Sequence, residues 1–265
     1  MMNSVVRMIL VVGAVVGAVV ALPARSAASA PAQPDRSGLA WTGRCALDGV
    51  RGERWALQTE GPIRSSPAVA GEQVLVGSDD GALYAVDRRS GALRWRTPLD
   101  SPVTGSPVVD GDRVFVTTAG NRLWALAAAD GAPLWSVDGG THVRLRGAWD
   151  LFASTPLLVG HTVVFGSSDG RIRAVDRDSG GEAWTFEAGE PIRASPSAYR
   201  GGFVVGGMGG HVFNLDDEGR LKWKAATDGV RHDFARDGYD RTAVQASAAI
   251  AHGLRLLGIE VVERM

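Results

Sequence analysis

The chain holds a single cysteine, Cys45, so it has no internal disulfide to rely on even in an oxidising compartment. It holds only two lysines, Lys222 and Lys224, and nearly all of its basic charge is arginine, a bias of genome composition rather than a sign of phosphate binding. No Gly-x-Ser-x-Gly elbow occurs, and the Ser-Pro pairs open strands instead of presenting nucleophiles. Metal-ligand spacing is missing as well. His142, His161, His211 and His252 are scattered among turns and strand starts, and His232 and Asp233, being adjacent, do not converge easily with Asp237 and Asp240. These absences speak against a disulfide scaffold, a nucleophilic enzyme and a metal centre.

The first 30 residues read apart from the rest. Arg7 precedes seventeen uncharged residues, Met8 to Ala24, followed by a small-residue stretch that ends in an Ala-x-Ala site at Ala30. That order of charged, apolar and small residues predicts a signal peptide over residues 1–30, cleaved before Pro31. The apolar run is shorter than the ~20 residues of a spanning helix and is interrupted by glycine, so an uncleaved anchor is the rival reading. No cysteine follows it closely enough to carry a lipid. Cleavage removes Arg7 and Arg25 and leaves 26 basic against 29 acidic side chains, a balance that suggests no nucleic-acid partner.

What the sequence does have is glycine, 35 in 265 residues, about twice the ~7% of an ordinary protein. Many tight turns imply many short strands. The strands come in repeats. Trp55, Trp95, Trp135, Trp184 and Trp223 are spaced 40, 40, 49 and 39 residues apart. Pro67, Pro107, Pro156 and Pro196, each preceded by Ser or Thr, keep nearly the same beat at 40, 49 and 40. In the first unit four β-forming runs, Pro67 to Ala70, Gln73 to Ser78, Ala82 to Asp87 and Ala92 to Pro98, are divided by Gly-containing turns. Four antiparallel strands in about forty residues make one blade of a propeller.

Ala85-Val86-Asp87-Arg88-Arg89-Ser90-Gly91-Ala92-Leu93-Arg94-Trp95 resembles the Ala-x-Asp-x-x-Thr-Gly-x-x-x-Trp docking motif of pyrroloquinoline-quinone-like (PQQ-like) propellers, with Ser for Thr. Ala174 to Trp184 matches as well, through Asp176, Ser179 and Gly180. Ala125 to Trp135 departs from it, with Ala127 in the Asp position and Asp130 in the Thr position, and Asn214 to Trp223 is one residue short. Ala46, Asp48, Gly52 and Trp55 form a degenerate fifth copy. The resemblance implies an all-β propeller of four-stranded antiparallel blades, about four full blades plus partial N- and C-terminal ones, in an open or incomplete arc. It implies an organisation of signal peptide 1–30, linker or partial strand 31–45, and repeats 46–265. It also gives Trp55, Trp95, Trp135, Trp184 and Trp223, with Gly91, Gly131, Gly180 and Gly219, a structural role in docking blades together. An indole of ~200 Å² wedged between blades contributes on the order of 5 kcal/mol before entropy is counted.

The pattern fades after Leu254-Arg255-Leu256-Leu257-Gly258, which corresponds to the second strand of a blade. Three expectations compete for this: an interrupted gene, an arc completed by another chain, and a small propeller.

The segment before each inner strand is expected near one mouth of the central channel. Pro62-Ile63-Arg64-Ser65-Ser66-Pro67 and Pro191-Ile192-Arg193-Ala194-Ser195-Pro196 are nearly one hexapeptide and place Arg64 and Arg193 there. The third unit carries about nine extra residues between Asp138 and Ser154, including Arg144, Arg146, Trp149 and Asp150. Arg64, Asp150 and Arg193 are thus candidates for gripping an anionic ligand such as a PQQ-like cofactor. The alternative is that the arginines are solvated or paired with neighbouring Asp.

Within the family the resemblance implies two kinds of activity. Quinoprotein dehydrogenases use PQQ with Ca²⁺ but are much longer and commonly carry an adjacent-cysteine ring. Non-catalytic members serve as extracytoplasmic scaffolds, among them the propeller that assists outer-membrane protein assembly. The residues present favour an exported periplasmic or extracellular scaffold without catalysis or cofactor of its own, and with no transmembrane span once the signal is removed. Its partner would be another cell-envelope protein. A dehydrogenase-type fragment with PQQ and calcium, and a remnant without independent function, are the alternatives.

Overall fold

The computed structural model describes residues 55–141 and 153–227. The expected signal peptide, the linker at 31–45, most of the degenerate first copy and everything after residue 227 lie outside those bounds. All regular structure among the described residues is strand.

Four four-stranded antiparallel sheets follow one another along the chain. The first blade consists of β1 (Ala68–Ala70), β2 (Gln73–Gly77), β3 (Ala82–Asp87) and β4 (Leu93–Pro98). The second has β5 (Val108–Asp110), β6 (Arg113–Thr117), β7 (Arg122–Ala127) and β8 (Pro133–Asp138). The third has β9 (Leu157–Val159), β10 (Thr162–Gly166), β11 (Arg171–Asp176) and β12 (Glu182–Glu187). The fourth has β13 (Ser197–Ala198), β14 (Gly202–Gly206), β15 (His211–Asp216) and β16 (Leu221–Ala226). In each sheet the strands lie side by side in chain order, so every connection within a blade is a hairpin. The short first strands touch across blades, β1 against β5 and β9 against β13, which puts them innermost.

Both faces of a blade are covered, and that explains why Val74, Leu75 and Val76 are all buried although side chains alternate along a strand. Leu75 joins Leu83, Ala85 and Trp95 in packing on Val114, Val116 and Leu126 of the second blade. Val76 and Tyr84 point the other way, toward Leu57 and Ile63. The core therefore lies between blades: Phe115, Leu123 and Ala125 meet Val163, Phe165 and Val175 at the next seam, and Val164, Ile172 and Ala174 meet Phe203, Val205 and Phe213 at the third.

One irregularity recurs at the same place in all four sheets. The register between third and fourth strands slips at Ala85/Val86, Ala125/Leu126, Ala174/Val175 and Asn214/Leu215. A bulge adds a residue on one strand and re-aims the side chains beyond it. Each bulge stands just before a repeat tryptophan, and each tryptophan still pairs with the equivalent residue, Ala85, Ala125, Ala174 or Asn214. The short fourth copy keeps this register by tightening its turn. Asp87 N–H donates to Ala92 O in the first blade, five residues on, whereas Asp216 N–H donates to Arg220 O, four on.

Candidate functional site

Two features of the repeat could carry function, the seams between blades and the segments before the inner strands. At the seams each indole lies on the glycine of the following blade's turn. Gly91, Gly131, Gly180 and Gly219 all have φ between 72° and 79°, where a side chain is strained. A Cβ there would stand no farther than 2.8 Å from the ring of Trp55, Trp95, Trp135 or Trp184 respectively. Glycine thus serves both the turn and the close approach of the ring. Trp223 packs with Tyr199, Val204 and Val212 on the outer face of the fourth blade, and the turn that would follow it lies outside the described residues.

The indole N–H groups are used too. Trp55 donates to Arg88 O at 3.0 Å, Trp95 to Ala128 O at 3.2 Å and Trp184 to Asp217 O at 3.0 Å, each 33 residues away. Trp135 Nε1 is buried and has no such partner.

The turn itself is organised by its aspartate. Asp87 Oδ1 accepts from the backbone of Arg89 and Ser90 and from the Ser90 hydroxyl, and Oδ2 takes the Arg94 guanidinium at 2.6 Å. The Arg94 bond, then those from Ser90, hold this carboxyl well below the usual carboxylate range. Asp176 repeats the pattern with Asp178 and Ser179, and its Ser179 bonds likewise depress it. In the second blade, where Ala127 replaces the Asp, the backbone bond from Gly131 N–H to Ala127 O is kept and Asp130 Oδ1 accepts from Ala132 N–H, as Ser90 Oγ does from Ala92. The departure seen in sequence leaves the turn intact because its backbone bonds need no carboxylate.

Ahead of the inner strands, the residue preceding each proline links neighbouring blades. Ser66 N–H donates to Ser106 Oγ at 2.9 Å, Ser106 N–H to Thr155 Oγ1 at 3.1 Å, and Thr155 N–H to Ser195 Oγ at 3.0 Å. A pre-proline residue is held extended, and Ser or Thr then offers a hydroxyl to the N–H of the blade before. The sequence showed Ser or Thr at every one of these positions, but the spacing alone gives no hint that they bond to each other. One residue earlier, Ser65 Oγ bonds both Gly77 O and Gly77 N–H, and Ser154 Oγ accepts from Gly166 N–H. In the second blade the pair is exchanged to Gly105 and Thr117, and the hydroxyl comes from the opposite strand, with Thr117 Oγ1 donating to Ser154 O at 2.6 Å.

Two of the three candidate ligand residues, Arg64 and Arg193, are described, and their surroundings differ. Arg64 is half-exposed and pairs with Asp79 at 2.7 Å. Arg193, its counterpart in the repeated hexapeptide, is 6% exposed, and the position of Asp79 in its blade is filled by Met208. Asp150 lies outside the described residues, as do Arg144, Arg146, Trp149, His232, Asp233, Asp237 and Asp240. Arg193 borders a cavity of about 20 Å³ shared with Thr117, Asn121, Ser154 and Ser168, room for one water-sized group. Asn121 was not apparent from sequence. It takes the left-handed turn position, φ 67°, that glycine fills in the other blades, and its amide donates to Gly139 O and Ser167 Oγ of the neighbouring segments. No cluster of His, Cys, Asp and Glu able to hold a metal occurs among the described residues.

The repeat, its docking turns and its seams agree with a family model described as outer membrane protein assembly factor BamB, which matches residues 45–175 and 168–253. The chain belongs to this PQQ-like repeat family. Solved structures of similar fold include BamB from Moraxella catarrhalis, 26% identical, with a TM-score of 0.56 over 65% of this chain and 52% of that one. A europium-containing methanol dehydrogenase is 13% identical, with a TM-score of 0.51 over 66% of this chain and 45% of that one. The quinohemoprotein alcohol dehydrogenase of Comamonas testosteroni is 18% identical, with a TM-score of 0.52 over 63% and 35%. The two dehydrogenases show the propeller fold alone. The chain spans about half the length of the BamB structure and less of the dehydrogenases. No curated protein matches it in sequence.

Proposed function

We propose that this BamB-family propeller is an exported, non-catalytic binding or scaffold protein of the cell envelope, acting on other proteins in outer-membrane assembly. The match of the family model along residues 45–253 carries the reading. The side chains support it: Arg64 is paired with Asp79, and the aspartates of the first, third and fourth docking turns bond within their own turns, so their chemistry goes into building the array. The reading includes no cofactor and places the protein in the periplasm, its N-terminal segment serving export.

Deletion of the gene is expected to lower the abundance of outer-membrane β-barrel proteins, read by quantitative proteomics of the membrane fraction, and expression of the chain in trans is expected to restore it. Unchanged barrel-protein levels would count against the assembly role. Saturable quenching of tryptophan fluorescence by PQQ with Ca²⁺ would replace the scaffold reading with the dehydrogenase-type one.

A further inference from the structure

We propose that the seam between the second and third blades is a charge-held latch, which yields to salt before the seams on either side of it. Among the seams described in full, it is built differently. The carbonyl equivalent to Ala128 O and Asp217 O is Arg177 O, and here it accepts from the Arg113 guanidinium at 2.9 Å instead of from an indole. Trp135 Nε1, which the repeat would aim at that carbonyl, is left buried without an acceptor.

Charge replaces what the indole gives up. Arg113 reaches Asp178 O at 2.9 Å and Asp178 Oδ1 at 3.0 Å. In the opposite sense, Arg177 of the third blade pairs with Asp110 of the second at 2.5 Å. Each blade thus contributes one acid and one base, cross-paired over the seam. The same positions at the first seam are Ala70, Gln73, Ala128 and Ala129, and Gln73 shares the Ala128 carbonyl with the Trp95 indole. At the third seam Val159 and Thr162 stand where Asp110 and Arg113 stand, so no such exchange of charge can form.

The four side chains are between a quarter and a half exposed, where added salt screens their attraction. Screening leaves a seam whose indole has no hydrogen bond to fall back on. When it opens, the face carrying Trp135 and Phe115, whose rings are 5.7 Å apart, is uncovered and the array bends between its second and third blades.

Hydrogen exchange of the full chain, compared at low and at ~1 M salt, tests this. Amides of β7, β8, β10 and β11 are expected to exchange roughly fivefold faster at high salt, with those of β2, β3, β14 and β15 changing less than about twofold. Asp110→Ala combined with Arg113→Gln installs the first blade's residues and frees the Arg177 carbonyl for Trp135. That variant is expected to lose the salt response. An equal response at all seams, or a response that survives the double substitution, would overturn the proposal. Should the variant fold poorly, the comparison of seams in the unaltered chain still decides.

Discussion

Ser106 and Thr155 are 49 residues apart in the chain, yet the backbone N–H of one donates to the hydroxyl of the other over 3.1 Å. The bond belongs to a series in which every described blade takes part. Replacing Ser106 by Ala removes the acceptor for Ser66 N–H and is expected to lower stability by about 0.5–1.5 kcal/mol in a urea titration. Ser106→Thr keeps the hydroxyl, as Thr155 does naturally, and is expected to change stability by less than half as much. Equal losses in the two variants would show that the hydroxyl is not what matters.

Trp95 is the most buried of the repeat indoles described here, at 8% exposure, and it bridges the first two blades. Trp95→Ala is expected to cost ~3–5 kcal/mol, through lost burial and the cavity left behind. Thermal unfolding monitored by far-UV circular dichroism reads this directly, and an unchanged midpoint would refute the docking role.

Gly180 combines φ of 72° with a Cβ position 2.8 Å from the Trp135 ring. Gly180→Ala is therefore expected to destabilise by more than the ~1 kcal/mol of left-handed strain alone. Gly160 also has positive φ, at 57°, but no neighbour lies within 4 Å of its Cβ position. Gly160→Ala is expected to show only the strain, and the difference between the two variants measures the contact with the indole.

Asp87 and Asp176 titrate below the ordinary carboxylate range in the folded chain, Asp87 through Arg94 and Ser90 and Asp176 through Ser179. A carboxylate depressed by folding stabilises fully above its unfolded value of about 3.9, and that contribution is lost as pH falls through the folded value. Thermal midpoints are thus expected to be flat near neutral pH and to drop below about pH 4. Asp87→Asn keeps the Oδ1 acceptor but cannot titrate, so its acid limb is expected to be shallower than that of the unaltered chain. A parallel limb would remove Asp87 from the account.

Much of the architecture was legible before any coordinates. The expected runs Gln73–Ser78 and Ala92–Pro98 differ by one residue from the observed β2 and β4, and Ala82–Asp87 coincides with β3. Strand limits here are set by local turns with glycine at positive φ, and local turns leave their mark in sequence. The contents of the seams are set by residues 33 to 67 positions apart, and those left weaker traces. Arg64 and Arg193 read alike in their hexapeptides, yet Arg64 is half-exposed and paired with Asp79 while Arg193 is buried, a difference the hexapeptides themselves do not carry. Trp135 follows Trp95 at the same forty-residue interval as Trp95 follows Trp55, and its missing hydrogen bond traces to Arg113 at the start of a different strand.

The bonds linking Ser66, Ser106, Thr155 and Ser195 all run one way, amide on the earlier unit and hydroxyl on the later. Each copy consequently has a distinct leading and trailing side that fits any other copy in only one orientation. Duplication of a segment about forty codons long would insert a blade that already offers this hydroxyl to one neighbour and this amide to the other, while the side chains of its seams would still have to suit each side.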